Sequence, residues 1–347
     1  MRLVPGLRRP TAPRPGSTRR YGFAVAVAVV LAAPASAQTR RDTGFDLAQI
    51  DVSARTAAFA GAMGGLAGSD PTVLFSNPAF LTAEMDRSVA LGYVDHLTDI
   101  SAGTAVYARS LPRFGVDAAA SVRYFSFGDF ERTGTDDAPD GTTYGAGEAA
   151  VTLTASRVVA PRVRVGVSAH ALFATIDDAS AQALTADIGA TYEVPSQGLV
   201  VGATLNNRVG TVLSSLGETE DRLPVDLRVS VAKRLRYVPL TITVVGYELQ
   251  HVDDQPVDTT VVSRESFAVR ALDHVLVGGE LRLGRSLAAR AGYSPRRGRA
   301  LRSGGRLDLA GLSAGFGLTV RRFALDYAYT GWSEVGGLHQ IGVRTRL

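Results

Sequence analysis

The chain has 347 residues, 37 Lys+Arg against 33 Asp+Glu, and no cysteine. A hydrophobic fraction of 46% excludes a disordered chain, and the lack of cysteine excludes disulfide scaffolds, cysteine nucleophiles and Cys-ligated zinc. Arg2, Arg8, Arg9, Arg14, Arg19 and Arg20 all precede residue 38 with no acid among them; the rest of the chain carries 31 basic side chains against 33 acidic ones, so a diffuse nucleic-acid-binding charge is excluded too.

Residues 1–37 read as an export signal. An Arg- and Pro-rich stretch leads into an apolar run from Phe23 to Ala33, and Ala35-Ser36-Ala37 supplies the small-residue cleavage pattern, predicting cleavage after Ala37. The run is short for a bilayer-spanning helix; an uncleaved N-terminal anchor is the alternative. Residues 38–86 are Ala- and Gly-rich. Gly61, Gly64, Gly65 and Gly68 argue against one continuous helix, and Asp70-Pro71 and Asn77-Pro78 mark turns. A compact pre-barrel segment or plug is expected there.

From residue 87 to 347 the pattern has period two. Leu312, Ala314, Phe316, Leu318 and Val320 form one face, and Ser313, Gly315, Gly317 and Thr319 the other. Strands are predicted at 87–96, 101–109, 115–127, 144–158, 163–177, 181–193, 198–207, 222–235, 240–251, 273–283, 286–294, 307–320, 322–331 and 337–346. Every even-numbered connection is tight, and the long ones, 128–143, 208–221, 252–272 and 295–306, are all odd-numbered. Long loops therefore share one end, the arrangement of short periplasmic turns and long extracellular loops seen in outer-membrane barrels. The expected fold is all-β, a 14-stranded antiparallel outer-membrane barrel of a Gram-negative bacterium. A secreted β-sandwich or lipocalin-like barrel is the alternative.

Arg164, His170, Asp226, Arg228, Glu280, Arg282, Arg290 and Asp326 fall on the proposed lumen face, where a hydrated or mutually paired environment accommodates charge and a dry core would not. Tyr93, Tyr107, Tyr124, Phe125, Phe127, Tyr247, Tyr293, Tyr327, Tyr329 and Trp332, near strand ends, are expected in interfacial girdles. His96, His170, His251, His274 and His339 lack metal-ligand spacing. No catalytic constellation is visible, so neither a catalytic site nor a metal or other cofactor is expected. Asp136, Asp137 and Asp140 read as a solvated acidic loop with calcium as the alternative. Arg296, Arg297, Arg299, Arg302 and Arg306 cluster in one outer loop, where they could meet lipopolysaccharide phosphates or an acidic partner, or simply be solvated.

The order Ser53-Ala54-Arg55, a Gly-rich stretch, Asp70, then Asn77-Pro78-Ala79 resembles the PorV/PorQ family, FadL-like outer-membrane barrels of the type IX secretion system. Segments 91–109, 123–134, 223–240, 274–301 and 309–329 point to the PorQ branch, so that the resemblance runs from about 45 to 347; Leu347 departs from the aromatic that commonly closes such barrels. The resemblance implies a noncatalytic anchor for a PorZ-like surface protein that recognises anionic lipopolysaccharide. The attachment complex would also hold a PorU-like sortase and a PorV-like barrel. A FadL-like transporter of hydrophobic small molecules is the alternative.

Overall fold

A computed structural model of the protein describes residues 52–347 apart from 66–67, 96–99, 134–138, 215–222, 224, 254–265, 302–308 and 334–335. The expected export signal and the start of the pre-barrel segment lie outside the described residues, as do His96, Asp136, Asp137, Arg302 and Arg306.

The strands are β1 (Ser88–Asp95), β2 (Ser101–Leu111), β3 (Val116–Thr133), β4 (Pro139–Ala160), β5 (Val163–Ile176), β6 (Ala179–Val194), β7 (Leu199–Ser214), β8 (Asp226–Arg234), β9 (Leu240–Gly246), β10 (Val275–Leu283), β11 (Leu287–Tyr293), β12 (Leu312–Val320), β13 (Phe323–Ser333) and β14 (Gly336–Arg346). Each pairs antiparallel with its sequence neighbour, and β1 closes on β14 in the register Ser88↔Arg346 to Asp95↔His339. The result is a closed 14-stranded barrel with no free sheet edge. Among the described residues three short α-helices accompany it: α1 (Ala54–Ala58), α2 (Phe267–Asp273) and α3 (Pro295–Ala300). Among the described residues no helix is long and apolar enough to cross a membrane.

The alternation read from sequence sets the two faces. On β12, Leu312, Phe316, Leu318 and Val320 point outward and are exposed, while Ser313 is buried inside. An exposed apolar belt around a barrel is a lipid-facing surface. Three aromatics expected in the girdle face inward. Phe125 is buried and meets Phe127 edge-on at 4.6 Å, and half-buried Tyr247 donates its O–H to the Asp273 carbonyl. Tyr124 takes the outward position, and in a strand its neighbour Phe125 must then point the other way.

Boundaries differ most on the outer side. The loop expected at 128–143 is largely an extension of the β3–β4 hairpin, where Phe130 stacks on its cross-strand partner Tyr144 at 5.5 Å. Strand β7 likewise runs on past residue 207 through a bulge, in which Asp187 faces the residues between Leu205 and Val209. Within the expected 295–306 loop, Ser294 caps α3, whose first residue is Pro295. The wall is therefore uneven. β3 and β4 have 18 and 22 residues, about 60–70 Å of strand, whereas β9 and β11 have 7 each.

The core lies inside the barrel. Phe59, Met63, Val73, Leu74, Phe80, Leu81 and Met85 of the pre-barrel segment pack against Val106, Ala119, Val200, Val245 and Leu276 of the wall.

Candidate functional site

The lumen, with the segment from Val52 to Asp86 folded into it, is the candidate site. That segment is a chain of short pieces because its prolines and glycines permit nothing longer. Alanine-rich α1 is followed by a 3₁₀ turn at Pro71–Phe75, capped by Asp70, which accepts from Thr72 N at 3.1 Å and Thr72 Oγ1 at 2.8 Å. Ser53 Oγ and Thr72 Oγ1 lie 2.8 Å apart and tie the two pieces together. A second 3₁₀ turn, Pro78–Phe80, is capped by Asn77 Oδ1 on Ala79 N at 2.8 Å.

The plug sits on two seats of different chemistry. The first is ionic and lies on β10–β14. Arg55 reaches Glu280 Oε2 at 2.9 Å and Asp70 at 3.7 Å. Arg290 bonds the same Glu280 oxygen at 2.9 Å and Asp326 at 2.6 Å. Arg282 adds Glu280 Oε1 at 3.1 Å, and Arg344 approaches Asp326 at 3.4 Å. Arg55 and Glu280 side chains are 5% and 4% exposed, so each buried charge needs its partners.

Beside this network Phe59 presses on Gly278 and Gly292, which face each other across β10 and β11. A Cβ on Gly292 would lie 2.1 Å from the Phe59 carbonyl carbon.

The second seat is uncharged and lies on β4–β7. Asn77 Nδ2 donates to Ala203 O at 3.1 Å and Ala190 O at 3.5 Å, and Ser156 Oγ donates to Leu81 O at 2.6 Å. The Asn77-Pro78 turn occupies space left by Gly166 and Gly189, again a cross-strand pair. A Cβ on Gly166 would lie 2.4 Å from the Pro78 backbone.

The sequence-predicted lumen residues thus fall into four groups. Glu280, Arg282, Arg290 and Asp326 join Arg55. Arg164 pairs with Asp117 at 2.6 Å. His170 bridges Thr152 Oγ1 and Asp187 Oδ2, each at 2.8 Å, and Asp187 also accepts from Asn207 N in the β7 bulge. Asp226 and Arg228 pair with each other near the outer mouth, where Asp226 also accepts from Glu248 N at 2.7 Å.

Of the motif residues, Ser53, Arg55, Asp70 and Asn77 make the plug's polar contacts, whereas Ala54, Pro78 and Ala79 are buried by close packing. Sequence reading missed Thr152, Asp187, Asp117 and Arg344; all four occupy inward positions of the alternation, which was the available signal.

In the outer loops Arg296 pairs with Glu248 at 2.7 Å, and Arg299 pairs with Asp273 and donates to Val269 O at 3.2 Å. These bonds fasten α2 and α3 to the rim. Nearby, burial first and then Glu248 push the Tyr247 phenol up to about 12, keeping it protonated as the donor to Asp273 O.

Between plug and wall, a cleft lined by Met63, Asn77, Phe80, Thr204 and Arg228 encloses about 10 Å³, room for one water at most. Above the plug Val94, Phe125, Leu172, Ala181 and Ala183 form an apolar cluster, with Phe75, Ile100 and Phe127 packed on it and the buried charges Arg123 and Glu148 on neighbouring inward positions. The Arg123 guanidinium lies 4.8 Å from the Phe75 ring centre. Among the described residues no group of three His, Asp or Glu is placed to hold a metal ion.

No protein-family model and no curated protein matches the chain. Solved structures that share its fold include the following three. A TodX deletion mutant titled a monoaromatic hydrocarbon channel superposes with TM-score 0.52 at 12% identity, covering 82% of this chain and 97% of that one. The CymD monoaromatic hydrocarbon channel gives 0.52 at 12% over 83% and 96%. The Pseudomonas putida toluene transporter TodX gives 0.50 at 13% over 83% and 95%. The chain has the FadL-like fold, a 14-stranded outer-membrane-type barrel.

Proposed function

We propose that the protein is an integral outer-membrane channel for hydrophobic small molecules. The observation that carries this reading is the fold it shares, along more than four fifths of its length, with channels whose titles name monoaromatic hydrocarbons and toluene. The apolar cluster above the plug supports it, because Phe125, Leu172 and Phe127 are side chains of the right chemistry to line a path for such a molecule once their packing opens. The plug closes the way below, so passage requires it to move. Uptake of radiolabelled toluene by cells making the protein tests the reading. Uptake several-fold above an empty-vector strain is expected, falling when Phe125→Asp and Leu172→Asp are introduced. Uptake equal to the vector strain overturns it.

A second reading follows the resemblance to the PorV/PorQ family: a noncatalytic anchor of the type IX secretion system that holds a PorZ-like protein at the cell surface, near a PorU-like sortase, a PorV-like barrel and lipopolysaccharide. The length of β3 and β4, well beyond the ~25 Å apolar band of a bilayer, favours it by offering a raised wall for docking. Co-purification in mild detergent decides: a large surface β-protein recovered with the barrel supports the anchor, and the barrel alone sinks it.

A further inference from the structure

The charged residues are distributed unevenly along the barrel axis. The end carrying the tight turns also carries both barrel termini, Arg87 before β1 and Arg346 at the end of β14, and is the periplasmic end. Five of its six turns expose arginine: Arg113 between β2 and β3, Arg162 between β4 and β5, Arg236 between β8 and β9, Arg285 between β10 and β11, and Arg321 with Arg322 between β12 and β13. Among the described residues none of these six makes an ion pair. The acids at that end are engaged elsewhere or stand apart: Asp86 meets Arg87 and Arg109, Asp117 meets Arg164, and Glu84 and Glu193 pair with none of the six.

Two further observations bear on what these turn arginines do. Arg162 and Arg321 occupy left-handed backbone, φ 72° and 55°. At the corresponding kind of position three other inner turns use Gly115, Gly198 and Gly284. Glycine takes that conformation without strain and arginine does not, so fold geometry alone favours glycine at both places. In addition, three of the turns place an exposed aromatic directly after the arginine: Arg113-Phe114, Arg236-Tyr237 and Arg322-Phe323. The guanidinium of Arg236 lies 5.6 Å from the Tyr237 ring centre and that of Arg322 5.4 Å from Phe323. Exposed aromatics at a barrel rim sit at the membrane–water interface, which sets the neighbouring guanidinium at the depth of lipid phosphates.

We propose that this rim is a binding surface for anionic phospholipid headgroups, phosphatidylglycerol in chemistry, in the periplasmic leaflet. A protein partner would dock on one sector; here the cations are spread over five turns around the circumference, as an encircling lipid annulus requires. The guanidinium fork matches phosphate oxygens bidentately. The inference rests on the outer-membrane placement proposed above, and it is independent of whether the barrel transports or anchors.

The test uses the full barrel in nanodiscs of equimolar phosphatidylglycerol and phosphatidylcholine, released into a mass spectrometer with its retained lipids. Retention of phosphatidylglycerol over phosphatidylcholine by about fivefold or more is expected, the ratio that one basic side chain near an anionic surface supplies. The ratio should fall to near one in R113Q/R162G/R236Q/R285Q/R321G/R322Q, whose two glycines relieve backbone strain. The triple variant R113Q/R236Q/R322Q leaves the left-handed positions untouched and should give an intermediate ratio if the larger set impairs folding, as judged by heat-modifiable gel mobility. Neutralising Arg296 and Arg299 at the opposite end should leave the ratio unchanged. Equal retention of the two lipids by the wild-type protein, or an undiminished preference in folded rim variants, overturns the proposal. A barrel that fails to insert in membranes at all would instead refute the outer-membrane placement.

Discussion

The plug's two seats solve the same packing problem with different physics. On β10–β14 it is held by charge, through Arg55 on Glu280 and Asp70, backed by Arg290 and Asp326. On β4–β7 it is held by one amide, one hydroxyl and missing side chains: Asn77 on two carbonyl oxygens, Ser156 on a third, and Gly166 and Gly189 making the space. A buried ion pair adds little over an apolar contact while intact, yet losing one partner is severe. A hydrogen-bonded glycine seat loses its contacts more gradually. One seat is therefore brittle and the other compliant, and the glycine-bearing stretch between Gly61 and Gly68 joins them.

Removing one member of the ionic seat should have the largest effect. Glu280→Gln leaves Arg55 and Arg290 without their shared carboxylate and is expected to loosen the plug by about 3–5 kcal/mol. Limited proteolysis of residues near α1 and single-channel conductance should both rise. Protection equal to wild type would show that the network is not what holds the plug. Arg55→Met added to Glu280→Gln should cost much less than Arg55→Met alone, because both changes break the same pair.

Steric eviction comes next. Gly292→Val forces a Cβ against the Phe59 backbone and should cost up to about 3 kcal/mol. Gly166→Val does the same to Pro78. If the seats act separately, the first exposes cleavage sites near Phe59 and the second near Pro78; identical fragments from both would mean the plug leaves as one body. Asn77→Ala should be milder, about 1–2 kcal/mol for a cap and two weak wall bonds, read as earlier cleavage at unchanged barrel stability.

The smallest effect concerns Asp86, where the plug meets β1. The Ser110 N–H at 2.9 Å, followed by Arg109 and Arg87, holds its carboxyl below the usual range. A depressed value in the folded state means stabilisation that is present above the ordinary carboxylate pKa and lost as pH falls through the depressed one. Asp86→Asn should remove that portion of the acid sensitivity by lowering neutral-pH protection slightly, while protection below the depressed value stays as in wild type. A variant whose acid profile overlays wild type would rule the contact out.

Much of the barrel was legible because alternation is a local property. Leu312 to Val320 declares its two faces within nine residues, and the parity of tight and long connections orients the whole barrel. The candidate site was legible only as a set of inward charges. That Arg164 belongs with Asp117, His170 with Asp187, and Glu280 with an arginine 225 positions away follows from register and closure, which no local window contains. The outer boundaries escaped for a related reason: Phe130 and Tyr144 join β3 and β4 only once the strands meet.

By itself the sequence determined strand number, the outward and lumen faces, and the presence of a turn-rich pre-barrel segment, because side-chain period and backbone preference act between near neighbours. Tertiary structure alone decided that this segment fills the barrel, which glycines make room for it, and which charges compensate one another. Those outcomes depend on what lies opposite across the lumen, and closing the fourteen-strand sheet is the event that brings opposite walls together.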